Sequence, residues 1–347
     1  MNASSAQASA HQRKFENKVV VITGASAGVG RATALAFARV GARVALIARG
    51  AEGLESARRE VELAGGAALA ISADVADAKA VDDAADRAER ELGPIDIWIN
   101  NAMVTVFGPV SELTPDEFKR VTEVTYLGGV YGAMAALKRM RPRDRGAIVQ
   151  VSSALAYRSI PLQSAYCGAK HALTGFIDSL RCELIHEHSG IHVTAVQMPA
   201  LNTPQFAWAR NKLPHRPQPV PPIFQPEVAA DAILYAASHR RRDIPVGAPT
   251  WKAEWGQRIV PGLLDRYLGR TAYAGQQTSE PDHHDRADNL FKPVAADART
   301  HGDFDSRALT SSRALWVEKH RAAIAVGVLA TCALGIVGCV MGAGRHA

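Results

Sequence analysis

Lys18-Val19-Val20-Val21-Ile22-Thr23-Gly24-Ala25-Ser26-Ala27-Gly28-Val29-Gly30-Arg31 decides how this chain folds. An apolar run of strand length ends in a glycine turn, and a helical pattern follows directly, opening around Arg31. Glycines in that place let the backbone turn tightly and approach a bound group. The helix N-terminus behind them offers unpaired N–H groups to a pyrophosphate. Thr23, Gly24, Ser26, Gly28, Val29 and Gly30 are therefore candidate dinucleotide-binding residues.

Outward from this unit the alternation continues to about residue 250. Strands are expected at Lys18–Ile22, Arg43–Ile47, Ala68–Ser72, Ile95–Ile99, Ala147–Val151 and His192–Val196, with a last one near Ile244–Val246. Each is apolar on both faces, as strands covered by helices on both sides must be. Charged amphipathic stretches such as Glu52–Ala64 and Ala78–Glu91 supply those helices, and Pro94 stops the second. The fold class is α/β: a doubly wound, mainly parallel sheet of the Rossmann kind, followed by a C-terminal transmembrane helix.

The end of the second strand selects the dinucleotide. An acidic residue there would bind the ribose 2′-hydroxyl and a basic one a 2′-phosphate. The run Leu46-Ile47-Ala48-Arg49 has no carboxylate, so NADP(H) is favoured over NAD(H), although Ala27 withholds a second basic residue.

Tyr166 and Lys170 stand at i and i+4 and share one face of a helix. A phenol is a poor base at neutral pH, but a nearby ammonium favours the phenolate and is expected to lower its pKa. Tyr166 can then exchange a proton with an alcohol or carbonyl as hydride moves. Ser153, just beyond the Ala147–Val151 strand, can hydrogen-bond the substrate oxygen.

Taken together, residues 16 to about 250 resemble a single-domain short-chain dehydrogenase/reductase. The resemblance rests on the glycine motif, Asp74-Val75, Asn100-Asn101-Ala102, Ser153, Tyr166-xxx-Lys170, and Pro199 with Thr203. It implies NAD(P)(H), with Asp74 and Val75 near the adenine ring and Asn101 and Ala102 along the adenosine ribose. It further implies Lys170 on the nicotinamide ribose, Thr203 near the carboxamide, and a homo-oligomer. Three residues depart from the family pattern: Thr125 stands where an asparagine holding a proton-relay water is expected, and Met103 and Ala200 replace glycines.

Composition bounds the remainder. The 347 residues suit one large α/β domain with some chain left over, and the formal charge of +6 comes from dispersed Arg rather than a basic block, which argues against nucleic acid. Arg240-Arg241-Arg242 reads as a solvated loop or a contact with anionic lipid heads. The four cysteines lack paired spacing, so neither a disulfide framework nor a zinc site is expected, and His283-His284 lacks partner ligands. No metal is implied.

The chain divides into a lead-in at 1–15, the dehydrogenase domain at 16–270, a polar linker at 271–315 and an apolar segment at 322–344. Ala322–Gly344 carries no charge, lies between Arg321 and Arg345, and matches the ~20 residues that cross a bilayer as a helix. Gly338 and Gly342 could pack two such helices, and Lys319 with Arg321 orients the enzyme domain toward the cytoplasm. The substrate pocket is expected from Val104–Val110, Leu155–Leu162 and Pro204–Pro226, the last being a lid or a plain surface loop. An anchored NADP-preferring oxidoreductase acting on a lipophilic alcohol or carbonyl is the leading reading. A non-catalytic NADP-binding sensor or scaffold and a sugar-nucleotide epimerase or dehydratase are its rivals.

Overall fold

A computed structural model describes residues 14–283, 286–294 and 298–325. The opening strand β1 (Val19–Thr23) is buried along its whole length. Its side chains alternate between two cores, as the two-residue period of a strand requires. Val20 and Ile22 pack with Phe37, Val228 and Ile233 on one face of the sheet, and Val19 and Val21 with Trp98, Met140 and Leu173 on the other.

Six more strands follow: β2 (Arg43–Ala48), β3 (Ala67–Ser72), β4 (Ile95–Asn100), β5 (Gly146–Ser153), β6 (Ile191–Met198) and β7 (Asp243–Pro245). All pair in parallel, in the order β3-β2-β1-β4-β5-β6-β7. Helices α1 (Gly28–Ala38), α2 (Ala51–Leu63), α3 (Ala78–Leu92), α4 (Pro115–Thr122), α5 (Gly128–Met140), α6 (Ser164–His186) and α7 (Pro226–Ser238) form the connections and cover the two faces. The order reverses between β1 and β4, which opens a crevice beyond the carboxyl ends of these strands where ligands of such sheets bind.

Helix α1 begins at Gly28, three residues before the position read from the sequence. A glycine lowers helix propensity, so the sequence pattern places the start late. Packing decides otherwise at Gly30, where a Cβ would lie 2.1 Å from the Gly24 carbonyl oxygen. Only a glycine lets the helix sit this close to the turn.

Between α4 and α5 the chain makes a π-helical turn at Glu123–Leu127. Such turns often occur at functional sites. Thr125 sits in it, its hydroxyl donating to the Val104 carbonyl (2.9 Å) and accepting from the Val104 N–H (3.1 Å). The threonine thus ties the turn to the loop after β4.

After β7 come two helices, α8 (Ala248–Ile259) and α9 (Pro261–Gly275), separated only by Val260. The polar segment 271–315 then makes contacts of its own. Gln277–Pro281 pairs antiparallel with His215–Pro217, and Ala308–Leu309 pairs with Ile223–Phe224, which in turn pairs with Ala200–Leu201. A helix over 313–325 places Leu315 in the core and Lys319 against Asp231 at 2.7 Å. Apart from its first four residues, the apolar segment 322–344 lies outside the described residues, as does the lead-in up to residue 13. Among the described residues, no helix is long and apolar enough to cross a membrane.

Candidate active site

The crevice between β1 and β4 is held by side chains from both rims. The Thr23 hydroxyl accepts the N–H groups of Asn101 (2.9 Å) and Ala102 (3.1 Å), and the Asn101 amide donates to the carbonyls of Thr23 (3.0 Å) and Gly24 (3.2 Å). The Asn101 side chain therefore acts on the glycine loop itself. Gly24 has φ of +66°, and a Cβ there would meet the Ala102 Cα at 2.8 Å, so the turn accepts no other residue without shifting the β4 loop.

A cavity of about 1050 Å³ runs from this turn across the carboxyl ends of the strands. That exceeds the ordinary ligand pocket of ~300–1,000 Å³ and leaves room for a large cofactor with a substrate beside it. Every site residue expected from the sequence lines it except Thr23 and Gly30, whose parts are to brace the turn and to let α1 approach.

Ser153, Tyr166 and Lys170 meet on its floor. Ser153 ends β5, and its Oγ accepts the Leu155 N–H at 3.1 Å. Tyr166 lies in the first turn of α6 and hydrogen-bonds Ser153. The Lys170 Nζ is 5.6 Å from the centre of the Tyr166 ring and donates to the Val151 carbonyl at 2.7 Å. The phenol and the ammonium therefore face the same space, with the serine between the phenol and the strand.

The electrostatics differ from the sequence expectation. Burial pushes the Tyr166 phenol above its ordinary value, the Ser153 hydrogen bond opposing it and the neighbouring Cys167 adding to it. Burial alone draws the Lys170 ammonium down to about 8. Desolvation is the leading cause of both shifts. The resting phenol is protonated, a form suited to giving a proton rather than taking one.

At the adenosine end the expected residues are engaged by parts of the chain that the sequence did not single out. Asp74 accepts the Ala76 N–H at 3.0 Å with one oxygen and pairs with Arg120 through the other. Arg49 donates to the Leu290 carbonyl at 3.1 Å and also to that of Asn289, and Arg120 donates to Leu290 at 3.1 Å. Burial, followed by the charge of Arg120, lowers the Arg49 pKa. The Gly28 N–H donates to the Arg299 carbonyl at 3.0 Å, and Arg31 donates to that of Ala298. Leu290 is fully buried in the core that holds Val75 and Val124.

The polar segment is thus a strap over the adenosine half of the groove, with Asn289, Pro293, Val294 and Ala298 forming an outer wall of the cavity. The donors it covers, a glycine-loop amide and an arginine, suit an anion, and the strap's carbonyls hold them until a ligand takes their place. A phosphate-bearing dinucleotide fits this donor set.

At the other end, the expected lining residues Phe107, Leu155 and Ile160 are joined by Leu264, Leu268 and Ala272 of α9. These three recur every four residues, a signal present in the sequence and passed over because the helix lies beyond the last strand. Phe206 and Trp208 of the Pro-rich stretch also line the cavity. The Asn289 N–H donates to the Trp208 carbonyl at 2.9 Å, which ties that stretch to the strap.

Comparison with known proteins places the chain among short-chain dehydrogenases. The family model described as short chain dehydrogenase matches residues 18–213. The uncharacterized oxidoreductase YxnA of Bacillus subtilis is 34% identical over 273 residues, 78% of this chain and 77% of that one. Dehydrogenase/reductase SDR family member 7B of Bos taurus is 32% identical, covering 74% of this chain and 82% of that one. The 3-dehydrosphinganine reductase of Danio rerio is 35% identical over 56% of this chain and 59% of its own.

Proposed function

This chain belongs to the short-chain dehydrogenase family and is an NAD(P)-dependent oxidoreductase, and from that premise we propose that it reduces a lipophilic ketone or aldehyde with NADPH. The observation that carries the reading is the meeting of Ser153, Tyr166 and Lys170 on the floor of one cavity that also reaches Gly28 and Arg49.

The bound nicotinamide would supply the hydride. The protein supplies the proton and the alignment. Ser153 Oγ hydrogen-bonds the substrate oxygen as negative charge develops on it, and the protonated Tyr166 gives that oxygen its proton. The Lys170 ammonium, fixed on the Val151 carbonyl, stabilises the phenolate left behind. The glycine loop would hold the pyrophosphate, Arg49 the 2′-phosphate and Lys170 the nicotinamide ribose.

The lipophilic substrate is supported by the apolar α9 wall and by the relative named as a reductase of 3-dehydrosphinganine. In this reading the segment 322–344 anchors the enzyme in a membrane, with the catalytic unit facing the cytoplasm, and the enzyme forms a homo-oligomer. NADPH oxidation against long-chain ketones and aldehydes tests the chemistry, with Tyr166→Phe as control. Cofactor binding without turnover on any of them would refute it. Protease accessibility on sealed vesicles tests the orientation: the domain must be shielded in right-side-out preparations and cleaved in inverted ones.

A further inference from the structure

Helices α8 and α9 present two different faces. Toward the cavity they turn Ala253, Leu264, Leu268 and Ala272. Away from it, α8 carries Trp251, Trp255 and Ile259 and α9 carries Leu263, with Tyr267 at the edge between the two faces, each pair of neighbours on a helix four residues apart and so on one side of it. Trp255 is 57%, Ile259 71%, Leu263 63% and Tyr267 59% exposed. Soluble surfaces do carry single exposed apolar residues. Five exposed apolar residues on one hairpin, with two tryptophans among them, mark a surface that meets something apolar.

The charges beside the row identify what it meets. The hairpin carries four cations, Lys252, Arg258, Arg266 and Arg270, against two carboxylates, Glu254 and Asp265. Glu254 is paired with Arg258 at 3.0 Å and Asp265 with Arg158 at 2.6 Å. Lys252, Arg266 and Arg270 make no ion pair among the described residues. In an isologous dimer this face would meet its own copy and bring like charges together. Anionic headgroups complement it instead. Trp and Tyr, with an apolar body and a polar tip, and long cations that keep their charge in the headgroup layer suit the interface of a bilayer.

We propose that the α8–α9 hairpin docks into the interface of an anionic membrane, so that the mouth of the substrate cavity opens against the lipid. Tyr267 stands at the lip, exposed outward and also lining the cavity. An apolar substrate passes from the acyl layer to Leu264 and Leu268 without crossing water. The purpose assigned to docking rests on the lipophilic-substrate reading above; the docking itself does not.

The test uses the full chain in vesicles of phosphatidylcholine and phosphatidylglycerol whose acyl chains carry bromine, which quenches tryptophan in contact with them. Wild-type fluorescence is expected to fall by about half relative to unbrominated vesicles, and Trp251→Phe/Trp255→Phe to lose most of that fall, leaving only the background of Trp98, Trp208 and Trp316. Equal quenching in both proteins would overturn the proposal. Ile259→Asp/Leu263→Asp is expected to raise KM for a bilayer-borne long-chain ketone roughly tenfold while leaving the rate on a short water-soluble aldehyde unchanged, which also shows that the variant is folded. Quenching without turnover of any carbonyl would refute the proposed function and leave docking intact; turnover without hairpin-dependent quenching would do the reverse. A concentration-dependent dimer that Ile259→Asp/Leu263→Asp dissolves, with no hairpin-dependent quenching, assigns the face to a second copy and overturns docking.

Discussion

Replacing Lys170 by Met should change how stability depends on pH, and the size of the change follows from the burial of the amine. Lys170 is 3% exposed, and burial alone takes its pKa from an ordinary 10.5 to about 8. The unfolded chain binds the proton more tightly than the fold does. Between these two values stability must therefore rise with pH, because the cost of a buried charge disappears as the folded amine loses its proton. At ~1.36 kcal/mol per pKa unit, the lysine costs the fold on the order of 2–3 kcal/mol more at pH 7 than at pH 10. Methionine has similar length and does not titrate. Urea unfolding of both proteins at the two pH values cancels every other titrating group to first order. The wild type is expected to gain on the order of 2–3 kcal/mol on the variant between pH 7 and pH 10, a shift of a few degrees in Tm for a domain of this size. A stability difference unchanged between the two values would mean that the amine is solvated, and the account of the catalytic floor would fall with it.

Three further outcomes follow from particular contacts. Gly30→Ala puts a Cβ 2.1 Å from the Gly24 oxygen, so it should destabilise the fold by about 3 kcal/mol or more and abolish NADPH binding, both measurable by calorimetry. Leu290→Ala removes a fully buried side chain that fastens the strap, at a cost of ~2–5 kcal/mol confined to that segment. Amide exchange should quicken in 286–294 and 298–303 but not in the sheet, and the Kd for NADPH should fall, because the strap carbonyls no longer compete for the Gly28 amide and Arg49; unchanged exchange and affinity would show that the strap does not close the groove. Arg49→Ala should raise KM for NADPH by roughly tenfold to a hundredfold, the loss of about 1.5–3 kcal/mol expected for a charged hydrogen bond, and leave NADH almost unaffected. Equal effects on the two cofactors would remove Arg49 from phosphate recognition.

What could be read from the sequence was what local pattern encodes. Parallel strands buried on both faces are continuous apolar runs, so β1 to β7 were found within a residue or two. The i and i+4 spacing of Tyr166 and Lys170 fixed their shared face before any coordinates. The strap escaped because it acts through the backbone carbonyls of Asn289, Leu290, Ala298 and Arg299, which composition does not reveal, and among the described residues of 286–303 Leu290 alone marks it with a buried apolar side chain. The sign of the Tyr166 shift escaped for a related reason: spacing gives the distance between phenol and ammonium, whereas desolvation depends on what the rest of the chain packs around them.

The account stands on Tyr166 as the proton donor at the carbonyl. Its most direct test is single-turnover hydride transfer from NADPH to a long-chain ketone in the wild type and in Tyr166→Phe, with NADPH affinity measured alongside. The phenylalanine keeps the ring and its packing but has no proton to give, so the rate should fall by ~10²–10⁴ at unchanged NADPH affinity. A rate within a few-fold of wild type would contradict the central claim and move the proton source elsewhere in the cavity.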